Sequence, residues 1–353
     1  MEKINDQVIM CGNEAVGEAA IQAGCRCYFG YPITPQNELT AYMARRMPEE
    51  GRIFLQSESE LAAINMVLGA SAVGIRSMTS SSSPGISLKQ EGISYLAGCE
   101  LPAVIVNMVR GGPGLGNIGP AQSDYFQATR GGGHGDYRTP VLAGASVQEM
   151  ADLTCRAFDL ADLYRTPVLI LGDGILGQMM EPVAFSASSG VKLPAKDWIL
   201  DGAAGREPRC IKSLYLGPRA LQRHNQKLQA KYSRIEKEEV RWEEFEVEDA
   251  VLVLVAYGIS ARLSKEAVKN LRREGHKVGL LRPITLWPFP HRRLRELAAK
   301  ISTFLVVEMS FGQMVEDVRL AVEGKCPVEF YGYGGGEILT VKEIEEAARK
   351  YSG

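Results

Sequence analysis

The chain has 353 residues, 45% apolar and 23% charged, with a net charge of −2; such a chain buries a good core and, as a prior on length, forms roughly two or three domains. A near-neutral balance excludes a basic field for nucleic acid or an anionic membrane surface, and the longest apolar runs are well short of the ~18 residues that suggest a span. The N-terminal stretch MEKINDQVIMCGNEAV lacks the basic-then-apolar layout of a signal, so a cytoplasmic protein is expected.

Residues 13–24, NEAVGEAAIQAG, alternate small and apolar residues at helical spacing and stop at glycine. The short runs RCYFGY, RIFLQ, SMTS, PAVIVNMV and TPVLILGD then read as strands, with helical periods at 36–46, 58–73, 85–97 and 147–163. This rhythm predicts an α/β domain with a mostly parallel sheet over residues 1–190. The rhythm lapses over 185–215, which includes SASSGVKLPAKDW and reads as a linker or crossover. Leu221, Leu228, Ile235 and Trp242 then recur every seven residues in a polar background, with eight acidic residues between Glu236 and Asp249. That spacing predicts one exposed helix with a single apolar seam lying on a neighbouring domain or subunit. Over 248–353 the strands VLVLVAYG, KVGLLRPI, TFLVVEM and VEFYGY alternate with helices at 260–274, 291–299, 312–323 and 341–351, a second, smaller α/β unit.

Several motifs fail on their context. GLGNIG (Gly114 to Gly119) has dinucleotide-fingerprint spacing but is followed by Pro120 and a polar stretch instead of opening a helix. GDG (Gly172 to Gly174) resembles the start of the thiamine diphosphate metal motif, yet no asparagine lies between Asn117 and Asn225 to complete it. The four histidines are too dispersed for zinc. Seven scattered cysteines without C-x-x-C give neither a disulfide framework nor a cluster site, and Cys25 and Cys27 read as two small buried residues of one strand. SSSSPG (Ser80 to Gly85) joins a strand to a helix, either as an anion-facing turn or as a serine N-cap.

Two stretches are more informative. YPITP holds Thr34 between two prolines, each of which fixes its own φ and restricts its predecessor. SESELAAINMVLGAS opens an apolar helix with two glutamates; Ser57 with Glu60 has capping-box spacing, while a glutamate at a buried first turn is also a candidate acid.

GYPITP, SESELAAINMVLGAS, SPGISLKQEGISYLAG, ELPAVIVNMVRGGPGLGNIGPAQSDY, GGGHGDYR and VAYGISAR…GLLRPITLWPFP together resemble one family, the 2-oxoacid:ferredoxin oxidoreductases. The likeness runs from about Gly12 to about Met314 and is to the α, pyrimidine-domain subunit. RGGPGLGNIGPAQ with GGGHGDYR favours the branched-chain (2-ketoisovalerate) members over 2-oxoglutarate members.

The resemblance implies a thiamine-diphosphate pyrimidine-binding parallel-sheet domain over 1–190, a linker with exposed helix over 191–247 and a transketolase C-terminal-like α/β domain over 248–353. It implies oxidative decarboxylation of a 2-oxoacid with coenzyme A and ferredoxin, in complex with partner subunits. A β-type subunit would hold the diphosphate and Mg²⁺ and carry a cluster; a γ subunit and a ferredoxin-like δ subunit with [4Fe–4S] clusters would complete the assembly. Carried over by residue, Thr34 is a substrate donor, Pro32 lies against the cofactor and Arg110 pairs with the substrate carboxylate. Glu60, selected by aligning on AAINMVLGA, shares a proton with the pyrimidine ring; a slip of two residues would make Glu58 the acid. A 2-oxoglutarate specificity, a catalytically decayed scaffold and a self-contained nicotinamide dehydrogenase are the alternatives.

Overall fold

Strand assignments follow from burial. Ala103–Val109 and Pro167–Asp173 are buried along their whole length, as parallel strands covered on both faces must be, which is why they read as unbroken apolar runs. In the computed structural model, which describes residues 3–4, 7–185 and 191–352, they form the centre of a seven-stranded sheet. Its order is Thr285–Trp287, Val141–Leu142, Pro167–Asp173, Ala103–Val109, Ser77–Ser81, Cys27–Gly30 and Ile53–Gln56. Every pairing is parallel except the first, where Thr285–Trp287 lies antiparallel to Val141–Leu142. A strand from the C-terminal third of the sequence thus extends the N-terminal sheet.

Helices cover both faces. Gly12–Gln22 packs on Val147–Tyr164, and Glu60–Ala72 on Ser83–Gly98. The second pair approaches closely because residue 92 is glycine: a Cβ there would stand 2.5 Å from the Ile64 side chain. Cys25 and Cys27 are both buried and unbridged, the Cys25 thiol donating to the Cys27 carbonyl at 3.3 Å.

The five-stranded sheet runs Trp242–Phe245, Val278–Pro283, Leu252–Val255, Thr303–Glu308, Val328–Gly332, with only the first strand antiparallel. Its apolar residues divide by parity, as a pleat requires. Leu252, Leu254, Leu305 and Val307 join one cluster with Ile259, Val268 and Ile344 from the helices Gly258–Arg273 and Val341–Arg349. Val253, Val255, Phe304 and Val306 face the other way, into the cluster that includes Leu294, Val318 and the core of the larger sheet. Gln122 closes the junction. Its amide donates to the Tyr257 carbonyl at 2.9 Å, and its Oε1 accepts from Ser260 Oγ at 2.7 Å and from the Met309 amide at 2.9 Å. A small antiparallel sheet (Lys3–Ile4, Gln7–Cys11, Met180–Val183) flanks the first domain.

The seven-residue seam needs a correction. The helix is Ala220–Glu238, with Leu228, Tyr232 and Ile235 buried and Leu221 exposed. It ends before Trp242, which begins the antiparallel edge strand of the second sheet. The helix lies on its own chain: Lys227 and Lys231 both pair with Glu100, and His224 hydrogen-bonds the Gly98 carbonyl. Residues 186–190 of the expected linker lie outside the described residues. The stretch after 191 packs back on the first domain, through Lys196 to Asp162 at 2.7 Å and the Leu200 amide to the Ala72 carbonyl at 2.9 Å. No helix of the described residues is long and apolar enough to cross a membrane.

Candidate functional site

The site is assembled at the carboxyl end of the strands Cys27–Gly30, Ser77–Ser81 and Ala103–Val109, where a parallel sheet presents its loops. The corner after Cys27–Gly30 is fastened from beneath. Tyr28 is fully buried, and its hydroxyl lies 3.0 Å from Thr40 Oγ1 and 2.5 Å from Ser80 Oγ. Thr40 and Ser80 both donate to Gln36 Oε1, at 3.0 and 2.5 Å. Burial pushes the Tyr28 phenol up to about 12, so this is a neutral, fixed network. Above it, Pro32 is exposed and Thr34 half-buried. Thr34 Oγ1 accepts from Asn37 Nδ2 at 3.1 Å, which leaves the hydroxyl proton free to donate elsewhere.

Arg110, which follows the strand Ala103–Val109, is not a surface arginine. It is buried, with Nη1 donating to the Thr34 carbonyl at 2.9 Å and Nη2 to the Leu115 carbonyl at 3.1 Å. Its Nε is buried without an acceptor among the described residues. Two of the four residues singled out from sequence are therefore held together, and the guanidinium retains unmet donors.

Glu60 is buried at the first position of the helix Glu60–Ala72. The expected capping box is absent. Ser59 caps the helix by accepting from the Ala62 amide, while the Ser57 hydroxyl bonds the Ser59 carbonyl at 2.8 Å and lies 3.2 Å from the Gly30 carbonyl. Glu60 is thus released from capping duty. Its Oε1 accepts from Ser81 Oγ at 3.3 Å, and Oε2 has no donor among the described residues. Gly85 makes room for it: a Cβ there would lie 2.0 Å from Ser81 Oγ and 2.4 Å from Glu60 Oε1. Glu58 is exposed and takes the Ser59 hydroxyl at 2.7 Å.

The serine run, read from sequence as an anion-facing turn or an N-cap, was not put forward as part of the site. Ser80 bonds the Tyr28–Gln36 network, Ser81 bonds Glu60, and Ser83 accepts from the Arg110 amide at 3.1 Å. Ser82 occupies the N-cap of Ser83–Gly98 but makes no cap bond, and its Oγ is buried without a partner among the described residues. The Ser83 amide is taken by Asn107 Oδ1 at 3.0 Å, so the anion-facing turn is already filled by a side chain. The available signal was a polar run at the end of a strand set between largely apolar strands.

The failed motifs have structural uses. In residues 111–119 the Gly111 amide bonds the Gly119 carbonyl at 2.9 Å and Asn117 Nδ2 bonds the Gly335 carbonyl at 2.5 Å. Gly116 has φ +57°, and a Cβ there would fall 1.7 Å from the Gly111 carbonyl oxygen. This is a compact loop seated on the second domain. Asp173 of GDG accepts from the Ile175 and Leu176 amides at 2.9 and 3.1 Å. No group of three or more His, Cys, Asp or Glu suited to a metal ion occurs among the described residues.

Comparison with known proteins places this geometry. Residues 18–245 match the thiamine-diphosphate-binding domain of pyruvate flavodoxin/ferredoxin oxidoreductases, and residues 250–344 match pyruvate:ferredoxin oxidoreductase core domain II. The chain is 54% identical to a ketoisovalerate oxidoreductase subunit VorB of Methanothermobacter marburgensis, over 97% of each chain. It is 37% identical to a 2-oxoglutarate synthase subunit KorA of Methanothermobacter thermautotrophicus, over 97% of this chain and 98% of that one. Among solved structures it superposes on a 2-oxoglutarate:ferredoxin oxidoreductase from Magnetococcus marinus with TM-score 0.86 and 29% identity; 99% of this chain spans 66% of that longer one. A split gene transketolase shares the fold alone, with TM-score 0.61 and 17% identity over 97% and 98% of the two chains.

Proposed function

The chain belongs to the pyruvate flavodoxin/ferredoxin oxidoreductase family, and on that premise we propose that it is the pyrimidine-side subunit of a CoA-acylating 2-oxoacid:ferredoxin oxidoreductase. Its substrates are branched-chain 2-oxoacids. The reaction converts 3-methyl-2-oxobutanoate, coenzyme A and oxidised ferredoxin to isobutyryl-CoA, CO₂ and reduced ferredoxin. A β-type subunit supplies the Mg²⁺-diphosphate anchor that this sequence lacks and an iron–sulfur cluster; γ and ferredoxin-like δ subunits complete the electron path. Exposed apolar side chains around the site, Leu61 beside Glu60 and Leu115 and Ile118 on the Arg110 loop, support a covering partner.

The residues fit thiamine diphosphate on its pyrimidine side. Glu60 offers a buried carboxyl with one oxygen that takes no donor among the described residues, at the first turn of an apolar helix. When bound, the cofactor supplies the carbanion chemistry of decarboxylation. Glu60 holds the proton shared with a ring nitrogen, and Gly85 with Ser81 keeps its carboxyl in place. Thr34 donates to the substrate, its backbone already fixed by Arg110 and the Gln36 network. Arg110 receives the substrate carboxylate through the donors that remain on its guanidinium; a planar fork suits a carboxylate.

The observation that carries this reading is the buried Arg110–Thr34 pair with an N–H left over. It is tested in the complete complex against a panel of 2-oxoacids, with Arg110→Lys in parallel. The branched-chain acids should give the highest kcat/KM. The variant should raise the KM of every 2-oxoacid by roughly tenfold or more with unchanged cofactor content, because a two-pronged donor becomes a point charge. A preference for 2-oxoglutarate would correct the substrate, and an unchanged KM would remove Arg110 from the site.

A further inference from the structure

The helix Ser83–Gly98 starts at the candidate site and carries the chain about 24 Å away from it, at 1.5 Å per residue. At its far end a cavity of ≈360 Å³ lies between that helix end, the turn after Val147–Tyr164 and the stretch 198–227. Arg165, Arg209, Lys212 and Lys227 line it, with Glu100 as the acid among them. The Glu100 carboxylate is already taken by Lys227 and by Lys231, the latter at 3.1 Å. Asp201, outside the lining, pairs with both Arg206 and Arg209. In a chain of net charge −2 this is a local surplus of positive charge, and like charges held together repel. The cluster therefore calls for a role other than stability.

The surplus comes with unmet donors. Arg165 Nε donates to the Glu100 carbonyl at 3.2 Å and the guanidinium lies 4.5 Å from the centre of the Trp198 ring, while its two terminal nitrogens meet no acceptor among the described residues. Arg209 Nη1 donates to the Ile199 carbonyl at 2.8 Å and to Asp201 at 3.2 Å, and its Nη2 has no acceptor among the described residues. Lys212 Nζ stands 5.3 Å over the Tyr215 ring, again with no acceptor among them. Tyr215 stacks on His224, whose Nε2 donates to the Gly98 carbonyl at 2.7 Å, so this wall is anchored to the helix end. Arg165 also holds φ +49°, the left-handed turn that closes Val147–Tyr164 and that glycine adopts most readily. A glycine would serve the turn and remove the guanidinium from the cavity.

We infer that this cavity is a binding site for a small anion carrying one or more phosphate groups, its oxygens held by Arg165, Arg209 and Lys212. Two planar guanidiniums and one ammonium converging on a concave space suit phosphate oxygens, and the volume is that of a small-molecule site. Free phosphate or diphosphate shares this chemistry with the phosphates of a nucleotide or of coenzyme A. Cys210, exposed in the lining next to Arg209, is a built-in reporter.

The test is calorimetric titration of phosphate, diphosphate, ADP and coenzyme A, each separately, into the complete complex with thiamine diphosphate and Mg²⁺ already bound, which fills the cofactor's own anchor. Ionic strength is held constant with chloride. At least one anion should bind saturably and slow the alkylation of Cys210 by iodoacetamide, read by mass spectrometry; the tightest of them names the source. Arg209→Met and Lys212→Met should each weaken that binding about tenfold, the scale of one charge-assisted hydrogen bond, with turnover unchanged. Should Arg209→Met disturb the fold, Lys212→Met, which removes no hydrogen bond of the chain, decides alone. No binding, binding that neither substitution weakens, or binding that leaves Cys210 unprotected overturns the inference. Binding to the isolated chain but not to the complex overturns it too, and gives the cavity to an acidic segment of a partner subunit.

Discussion

Glu308 ends the strand Thr303–Glu308 of the five-stranded sheet, and Glu60 follows the edge strand Ile53–Gln56 of the seven-stranded one. Both are buried acids at the head of a helical segment, and their surroundings differ. Glu308 is closed on every side: it accepts from Ser310 Oγ at 3.0 Å and from the amides of Gln313, Met314 and Val315 at 3.2, 3.0 and 3.0 Å. Burial raises its carboxyl and those donors oppose the rise. Among the described residues Glu60 has the single donor Ser81, and Ser82 Oγ and Arg110 Nε, which follow neighbouring strands of the same sheet, are buried without partners. Buried polar groups are ordinarily satisfied. A sheet end that completes its hydrogen bonds is architecture, and one that leaves several incomplete marks where another molecule belongs.

The sharpest way to break this comparison is to make each glutamate an amide. Glu60→Gln should lower kcat of the complex by roughly a hundredfold or more, the scale of general acid–base help, with an unchanged thermal midpoint. Glu58→Gln is the matched control and should stay active, because that side chain is exposed. If Glu58→Gln is dead and Glu60→Gln is not, the acid lies two residues earlier. Glu308→Gln should do the reverse. Its amide turns an N–H₂ towards backbone donors, which should destabilise the fold by about 2–3 kcal/mol in chemical denaturation, with kcat per folded complex retained. A loss of kcat without a loss of stability would make Glu308 part of the site.

An effect on the pH dependence of stability alone is expected at Asp173, a closed strand end within the larger sheet. Burial raises its carboxyl from the ordinary 3.8 to about 6 against the amides of Leu176, Ile175 and Ile259. The folded chain holds this proton more tightly than the unfolded one. Its contribution to stability is therefore full below pH 3.8 and is lost as pH rises through about 6. Asp173→Asn should remove that slope, worth on the order of 2–3 kcal/mol. Parallel stability–pH curves for parent and variant would place the charge cost elsewhere.

Sequence made the α/β rhythm legible because doubly covered strands are apolar throughout and the helices keep their period. It did not reveal Trp242–Phe245 or Thr285–Trp287, whose strand character comes from the partners they meet across the chain. Trp242 fitted a seven-residue spacing by coincidence, beyond the end of its helix. Ser57 fitted a capping box, but the neighbouring Ser59 took the cap. Thr34, Glu60 and Arg110 were legible as candidates through resemblance to a family. The serines that join them were not, because polar residues at a strand end read as a turn, and their burial depends on contacts far apart in sequence, Tyr28 to Ser80 and Ser83 to Arg110.

The central claim is that these open groups form one side of a site completed by another subunit. Calorimetric titration of thiamine diphosphate with Mg²⁺ into the isolated chain, and into the chain with its β-type partner, tests it most directly. Tight, Mg²⁺-dependent binding only with the partner is the predicted result; equally tight binding to the isolated chain would contradict it.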